Sequence, residues 1–64
     1  MQKRTFKIDN SIYPKDKILE VIPFFEGYTL AYNDATGLEI SSNSEDPQAV
    51  FDEFMNYLLA YLNE

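Results

Sequence analysis

The chain has few side chains that can perform covalent or acid-base chemistry. It contains no histidine and no cysteine, which removes the most versatile general base, the strongest thiol nucleophile and most zinc, copper and iron-sulfur ligation. Two adjacent carboxylate pairs remain, Glu45-Asp46 and Asp52-Glu53. Glycosidase chemistry needs two carboxylates that face each other across a cleft. Neighbours on a helix do not face each other, so we interpret these acids as solvated charge.

The oxygen-rich and small residues elsewhere form no complete motif. Residues 33–39 are similar to a calcium loop but lack acidic ligands at alternate positions and a glutamate at the twelfth, so they predict a hairpin turn. With only two glycines, no phosphate-cradling loop can be assembled. Three serines have neither a neighbouring base nor a glycine-flanked elbow: Ser41, Ser42 and Ser44. We therefore predict a protein that is not an enzyme, with no cofactor and no metal site.

Charge is divided unevenly along the chain. All five basic residues lie within residues 1–17, which also hold two acids and so carry a net charge of +3. Residues 18–64 carry nine acids and no base. The overall charge of −6 repels phosphate backbones, which disfavours nucleic acid as a partner. The acidic segment instead permits an acidic mimic that occupies a nucleic-acid-binding protein.

The length of 64 residues predicts one small domain, residues 1–64, that buries only about 60% of its unfolded surface. The absence of cysteine excludes a disulfide framework and favours a cytoplasmic location. No apolar stretch approaches the ~20 residues of a membrane span, and the N-terminal residues lack the apolar core of a signal peptide. We expect no membrane partner.

Three short strands are predicted from alternating polar and apolar residues. The first is Thr5–Ile8. The second, 28–32, and the third, 38–41, flank residues 33–37, which have the composition and length of a hairpin loop. The second and third strands should therefore pair.

Two helices are predicted between and after these strands. Pro14 has the fixed φ of a first helical residue, and the helix that follows should end or kink just before Pro23, which lacks an amide hydrogen. A final helix is predicted over residues 47–63, with Ser44 and Asp46 as candidates for its N-cap.

The order strand, helix, strand, strand, helix predicts an α+β fold. We expect a three-stranded antiparallel sheet of order 2-3-1 with both helices on one face, similar to a ferredoxin-like fold that lacks its last strand. Strands one and two would then both be sheet edges, and an edge can accept a strand from another chain.

The final helix is more apolar than a globular helix needs. Its apolar residues span about 200° of the helix circumference, whereas a stripe of little over 100° is enough to meet a core. Tyrosine is enriched at protein interfaces because its ring is apolar and its tip is polar. The surplus on the two flanks predicts a partner-binding surface: Val50, Met55, Tyr57, Leu59 and Tyr61.

Two segments resemble the His-Xaa-Ser system small protein HxsD. They are residues 8–14, Ile-Asp-Asn-Ser-Ile-Tyr-Pro, and residues 53–59, Glu-Phe-Met-Asn-Tyr-Leu-Leu. The resemblance implies a noncatalytic accessory encoded with radical-SAM enzymes that modify ribosomally made peptides. The chain departs from the pattern at Pro23 and in having no basic residue at the end of the last helix. The positions carried over are Tyr13, Pro14, Phe54, Asn56 and Leu58.

Three hypotheses follow from the residues. The first is a noncatalytic accessory or partner-binding protein that uses the flank of the last helix. The second is a homodimeric structural module in which two last helices pair about a two-fold axis. The third is the acidic mimic.

Overall fold

The computed structural model describes residues 2–63, which form a three-stranded antiparallel sheet and two α-helices. Strand β3 lies between β1 and β2, which is the predicted order 2-3-1, and the predicted α+β class is confirmed. The elements are β1 (Gln2–Phe6), α1 (Lys15–Val21), a 3₁₀ turn (Ile22–Phe24), β2 (Thr29–Asn33), β3 (Gly37–Ser42) and α2 (Pro47–Leu62).

Strand β1 lies earlier in the chain than the predicted Thr5–Ile8. Phe6 pairs with Leu38 of β3, so in the same register Ile8 would face Thr36, which lies in the turn before β3. Because β3 offers no partner there, the chain leaves the sheet after Phe6. The polar residues before Thr5 pair instead, although they show no alternation.

Helix α1 begins one residue later than predicted. Pro14 has an extended ψ of 140° and occupies the N-cap position, because the chain still has to turn into the helix there. The predicted end before Pro23 is confirmed, since α1 stops at Val21 and continues as the 3₁₀ turn. The amide of Phe25 then donates to the Ile22 carbonyl at 3.1 Å.

Helix α2 begins at Pro47, as predicted, and ends at Leu62, one residue before the predicted Asn63. Of the two candidate caps, Asp46 occupies the N-cap position and accepts a hydrogen bond from the amide of Gln48 at 3.1 Å. Ser44 lies outside the helix as an exposed residue.

Both helices cover the same face of the sheet. Phe6 lies opposite Leu38 and stacks on Phe51 of α2 with ring centroids 4.2 Å apart. The core therefore combines residues of β1 and β3 with residues of both helices: Phe6, Ile18, Val21, Leu38, Ile40, Val50, Phe54 and Leu58. The opposite face of the sheet carries short polar side chains and the Lys3–Glu39 ion pair, 4.0 Å between nitrogen and oxygen.

Candidate protein-binding surface

The five residues predicted to bind a partner do not form one surface. Val50 is only 1% exposed and belongs to the core, so its assignment to a free flank is wrong. Helix α1 packs against that side of α2 and contributes Ile18 and Val21 to the same core. The apolar arc of α2 is wide because it meets both the sheet and α1.

Tyr57 and Leu59 are exposed on different sides of α2. They are 43% and 50% exposed, and two residues of helix separate them by about 160° the short way round. Met55 lies on the same side as Leu59 and is half-buried against the core. Tyr57 and Leu59 therefore belong to two separate surfaces of the molecule.

Tyr61 links the two helices. Its hydroxyl donates a hydrogen bond to Glu20 Oε1, and Lys17 Nζ lies 5.8 Å from the centre of its ring. Lys17 also pairs with Glu20 at 3.7 Å. The ring and hydroxyl of Tyr61 therefore have partners within the fold.

The side of α2 that carries Tyr57 also holds an exposed aromatic residue from the 3₁₀ turn. Phe24 is 60% exposed and stacks on Tyr57, with ring centroids 5.5 Å apart and planes 28° apart. Phe25 meets Tyr57 edge-on at 5.8 Å and packs on Phe54 at 5.3 Å. The exposed pair Phe24 and Tyr57, which we name the aromatic patch, thus rests on Phe25 and through it on the core.

Pro23 positions the aromatic patch. Because proline cannot continue the α-helical hydrogen bonds, the chain tightens into the 3₁₀ turn at residues 22–24. Phe24 and Phe25 then leave the helical repeat and point differently, one exposed and one half-buried. The local backbone therefore holds Phe25 against the core and leaves Phe24 at the surface.

Two carboxylates act on Tyr28, and one of them also lies near Tyr57 on α2. Glu53 is exposed one helical turn before Tyr57, and Glu45 Oε1 accepts a hydrogen bond from the Tyr28 hydroxyl at 2.7 Å. The pKa of Tyr28 is raised above its ordinary value of 10.0 chiefly by that hydrogen bond, then by partial desolvation and by the negative charges of Glu45 and Glu53. Glu53 therefore places a negative charge one helical turn from Tyr57 of the aromatic patch.

The cavity beside the β2–β3 turn has a volume of about 70 Å³, far below the roughly 300–1,000 Å³ of ordinary ligand pockets. Within residues 2–63, no three acidic side chains are grouped as a metal site requires. None of the helices in that range combines the length and apolar character needed to cross a bilayer.

Sequence reasoning missed Phe24. It follows Pro23 and lies outside any helical repeat, so periodicity does not indicate whether its side chain is buried or exposed. The five phenylalanines of a small domain are also most simply assigned to its core. The signal that remains is the pair Phe24-Phe25 after a proline, because two adjacent rings in a tight turn cannot both point inward.

The residues carried over from the resemblance have mainly structural positions. Phe54 and Leu58 are fully buried, and Pro14 precedes α1. Tyr13 is half-buried and Asn56 is exposed on α2. Glu64, the last of the nine acids after position 17, lies outside the described residues.

No family model, no curated protein and no solved structure matches the chain.

Proposed function

We propose that the chain is a noncatalytic protein-binding module whose contact surface is centred on the aromatic patch. The stacking of Phe24 on Tyr57 at the surface supports this most directly. Aromatic rings that are exposed yet held rigidly by the core lose little side-chain freedom on binding. Such residues are enriched among those that dominate binding energy at interfaces.

The partner segment we propose is apolar at its centre and basic around it. Glu53 places a negative charge one helical turn from Tyr57, so a lysine or arginine side chain that approaches the rings meets an opposite charge. Exposed phenylalanine and tyrosine faces also attract cations directly. Arginine suits both interactions because its guanidinium stacks on rings and pairs with carboxylates.

An accessory role in a peptide-modifying system, implied by the resemblance to HxsD, is compatible with this proposal. A small cytoplasmic module without histidine or cysteine acts most simply by holding a partner rather than by performing chemistry. The modifying enzyme or its peptide substrate would then be the partner. The acidic mimic differs in that its affinity would come mainly from charge.

Affinity capture with matched variants tests the proposal. Tyr57→Gln removes one ring of the aromatic patch, and Phe24→Gln removes the other. Leu59→Gln is the control, because Leu59 lies on the same helix with similar exposure but on another side. Each tagged variant, first shown to be folded by circular dichroism, is used to capture proteins from the source cells.

We expect a protein that the unmodified chain and Leu59→Gln retain and that Phe24→Gln and Tyr57→Gln lose. Retention of the same protein by all four folded chains would overturn the aromatic patch as the contact surface. Loss of the captured protein with Leu59→Gln alone would show that the partner contacts the other side of α2.

A further inference from the structure

Strands β1 and β2 are both sheet edges, but their side chains differ. Strand β1 carries Lys3 and Arg4, both exposed, and charged residues on an edge discourage pairing with another strand. Strand β2, residues 29–33, has no charged residue and no proline, and its pairing with β3 runs without a bulge. Only β2 therefore lacks the usual protection of an edge strand.

Within residues 2–63, no strand pairs with the outer side of β2. Strand β3 is its only extensive neighbour among the described elements, and Ala31 is exposed on the uncovered face of the sheet. On the helix face, Leu30 and Tyr32 are only half-buried. Lys15 of α1 binds Asp34 Oδ2 at 2.8 Å in the turn that follows β2.

We propose that β2 pairs antiparallel with β2 of a second copy of this chain, joining two sheets into one of six strands. A two-fold axis at Ala31 sets Leu30 of each copy opposite Tyr32 of the other on the helix face. Ring and aliphatic pairs of this kind stabilise neighbouring strands. The polar Thr29 lies opposite Asn33, and the two small Ala31 side chains meet on the axis.

A second copy fits this edge better than a charged peptide does. The strand is neutral, so two copies pair without like charges directly opposite each other, and the sequence is complementary to itself about Ala31. The basic residues on β1 discourage a further strand from pairing at the other edge of each sheet. The assembly therefore stops at two copies, as an isologous dimer. This contact uses neither residue of the aromatic patch and does not depend on the proposed function.

The dimer is tested by measuring molar mass by sedimentation equilibrium across tens to hundreds of micromolar. Salt of about 0.15 M screens the repulsion between two chains of charge −6 beyond about 8 Å. Ala31→Lys places two lysines face to face on the axis. Thr5→Lys is the matched control, because Thr5 and Ala31 both lie opposite Glu39 on the same sheet face, at opposite edges.

We expect twice the 7.5 kDa of one chain for the unmodified protein and for Thr5→Lys. For Ala31→Lys we expect a dissociation constant raised at least about tenfold. An unmodified chain that remains monomeric overturns the proposal. A dimer that resists both substitutions equally also overturns it, because such a dimer would use another surface, such as α2.

Cross-linking gives a second readout that does not need Ala31→Lys to fold. The chain has no cysteine, and the axis would bring the two Cα atoms of Ala31 to about 4.5–5.5 Å, within the range for a disulfide. With oxidised glutathione, we expect Ala31→Cys to form a covalent dimer and Thr5→Cys to remain largely monomeric. Equal cross-linking of the two variants, or none with Ala31→Cys, contradicts the paired edge.

Discussion

Gly37 lies directly against the backbone of Phe6. A Cβ atom on Gly37 would stand 2.1 Å from the Phe6 carbonyl oxygen, and the residue has a φ of +106°. Gly37 therefore closes the β2–β3 hairpin and lets β1 approach β3 at the same point. The sheet that supports both helices depends on this contact.

Gly37→Ala is expected to destabilise the fold far more than Gly27→Ala. Gly27 also has a positive φ, of +89°, but a Cβ there meets no atom within 4 Å. The Gly27 substitution should therefore cost only the conformational penalty of about 1–2 kcal/mol. Gly37→Ala adds a backbone clash, and a domain this small has only about 3–5 kcal/mol of stability. Urea unfolding of both variants checks the order, and equal losses would contradict the contact.

Phe24→Gln is expected to change the free energy of unfolding by less than about 1 kcal/mol, because the ring is largely exposed. Phe54→Ala should cost about 3–5 kcal/mol, since Phe54 is fully buried and its loss leaves a cavity. Urea titration measures the Phe24→Gln variant, and circular dichroism without denaturant shows whether Phe54→Ala has lost the fold, as a cost equal to the whole stability predicts. If Phe24→Gln were as damaging as Phe54→Ala, the ring would be part of the core and not a free surface.

Asp46→Ala is expected to destabilise the protein by about 1 kcal/mol, because its carboxylate accepts a hydrogen bond from the first turn of α2. Ser44→Ala, two residues earlier, should have almost no effect. Thermal unfolding followed by circular dichroism compares them. A larger loss of stability with Ser44→Ala would indicate that Ser44, and not Asp46, caps α2.

Tyr28→Phe is expected to reduce stability at neutral pH and to lose that effect at high pH. The folded pKa of Tyr28 is raised above its ordinary value of 10.0, so the hydrogen bond to Glu45 stabilises the fold fully below that value. The contribution disappears as the pH rises through the folded pKa and the phenol ionises. Urea unfolding of both proteins from pH 8 upward should show the difference narrowing above about pH 10, and a constant difference would contradict the hydrogen bond.

Much of the fold could be predicted because its signals are local. The alternation at Leu38 and Ile40, the turn at residues 33–37 and Pro47 after Asp46 each determine their own element. The position of β1 could not be predicted, since its register depends on where β3 ends rather than on its own sequence. Edge strands are held by backbone hydrogen bonds, so Lys3 and Arg4 can occupy one without any apolar pattern.

The candidate surface was harder to predict because exposure depends on neighbouring elements. The periodicity of α2 identifies which residues are apolar but not which side α1 covers, so Val50 was placed outside although it is buried. Phe24 was missed for the converse reason, since only the packing of Phe25 on Phe54 leaves the neighbouring ring at the surface.

The most direct test of the aromatic patch is the dissociation constant of the captured partner, measured by isothermal titration calorimetry with the unmodified chain and three folded variants. We predict that Phe24→Gln and Tyr57→Gln each weaken binding at least about tenfold, as loss of an anchoring ring does. Leu59→Gln should change it less than about threefold. Unchanged affinity in both aromatic variants, or an equal loss with Leu59→Gln, would contradict the account.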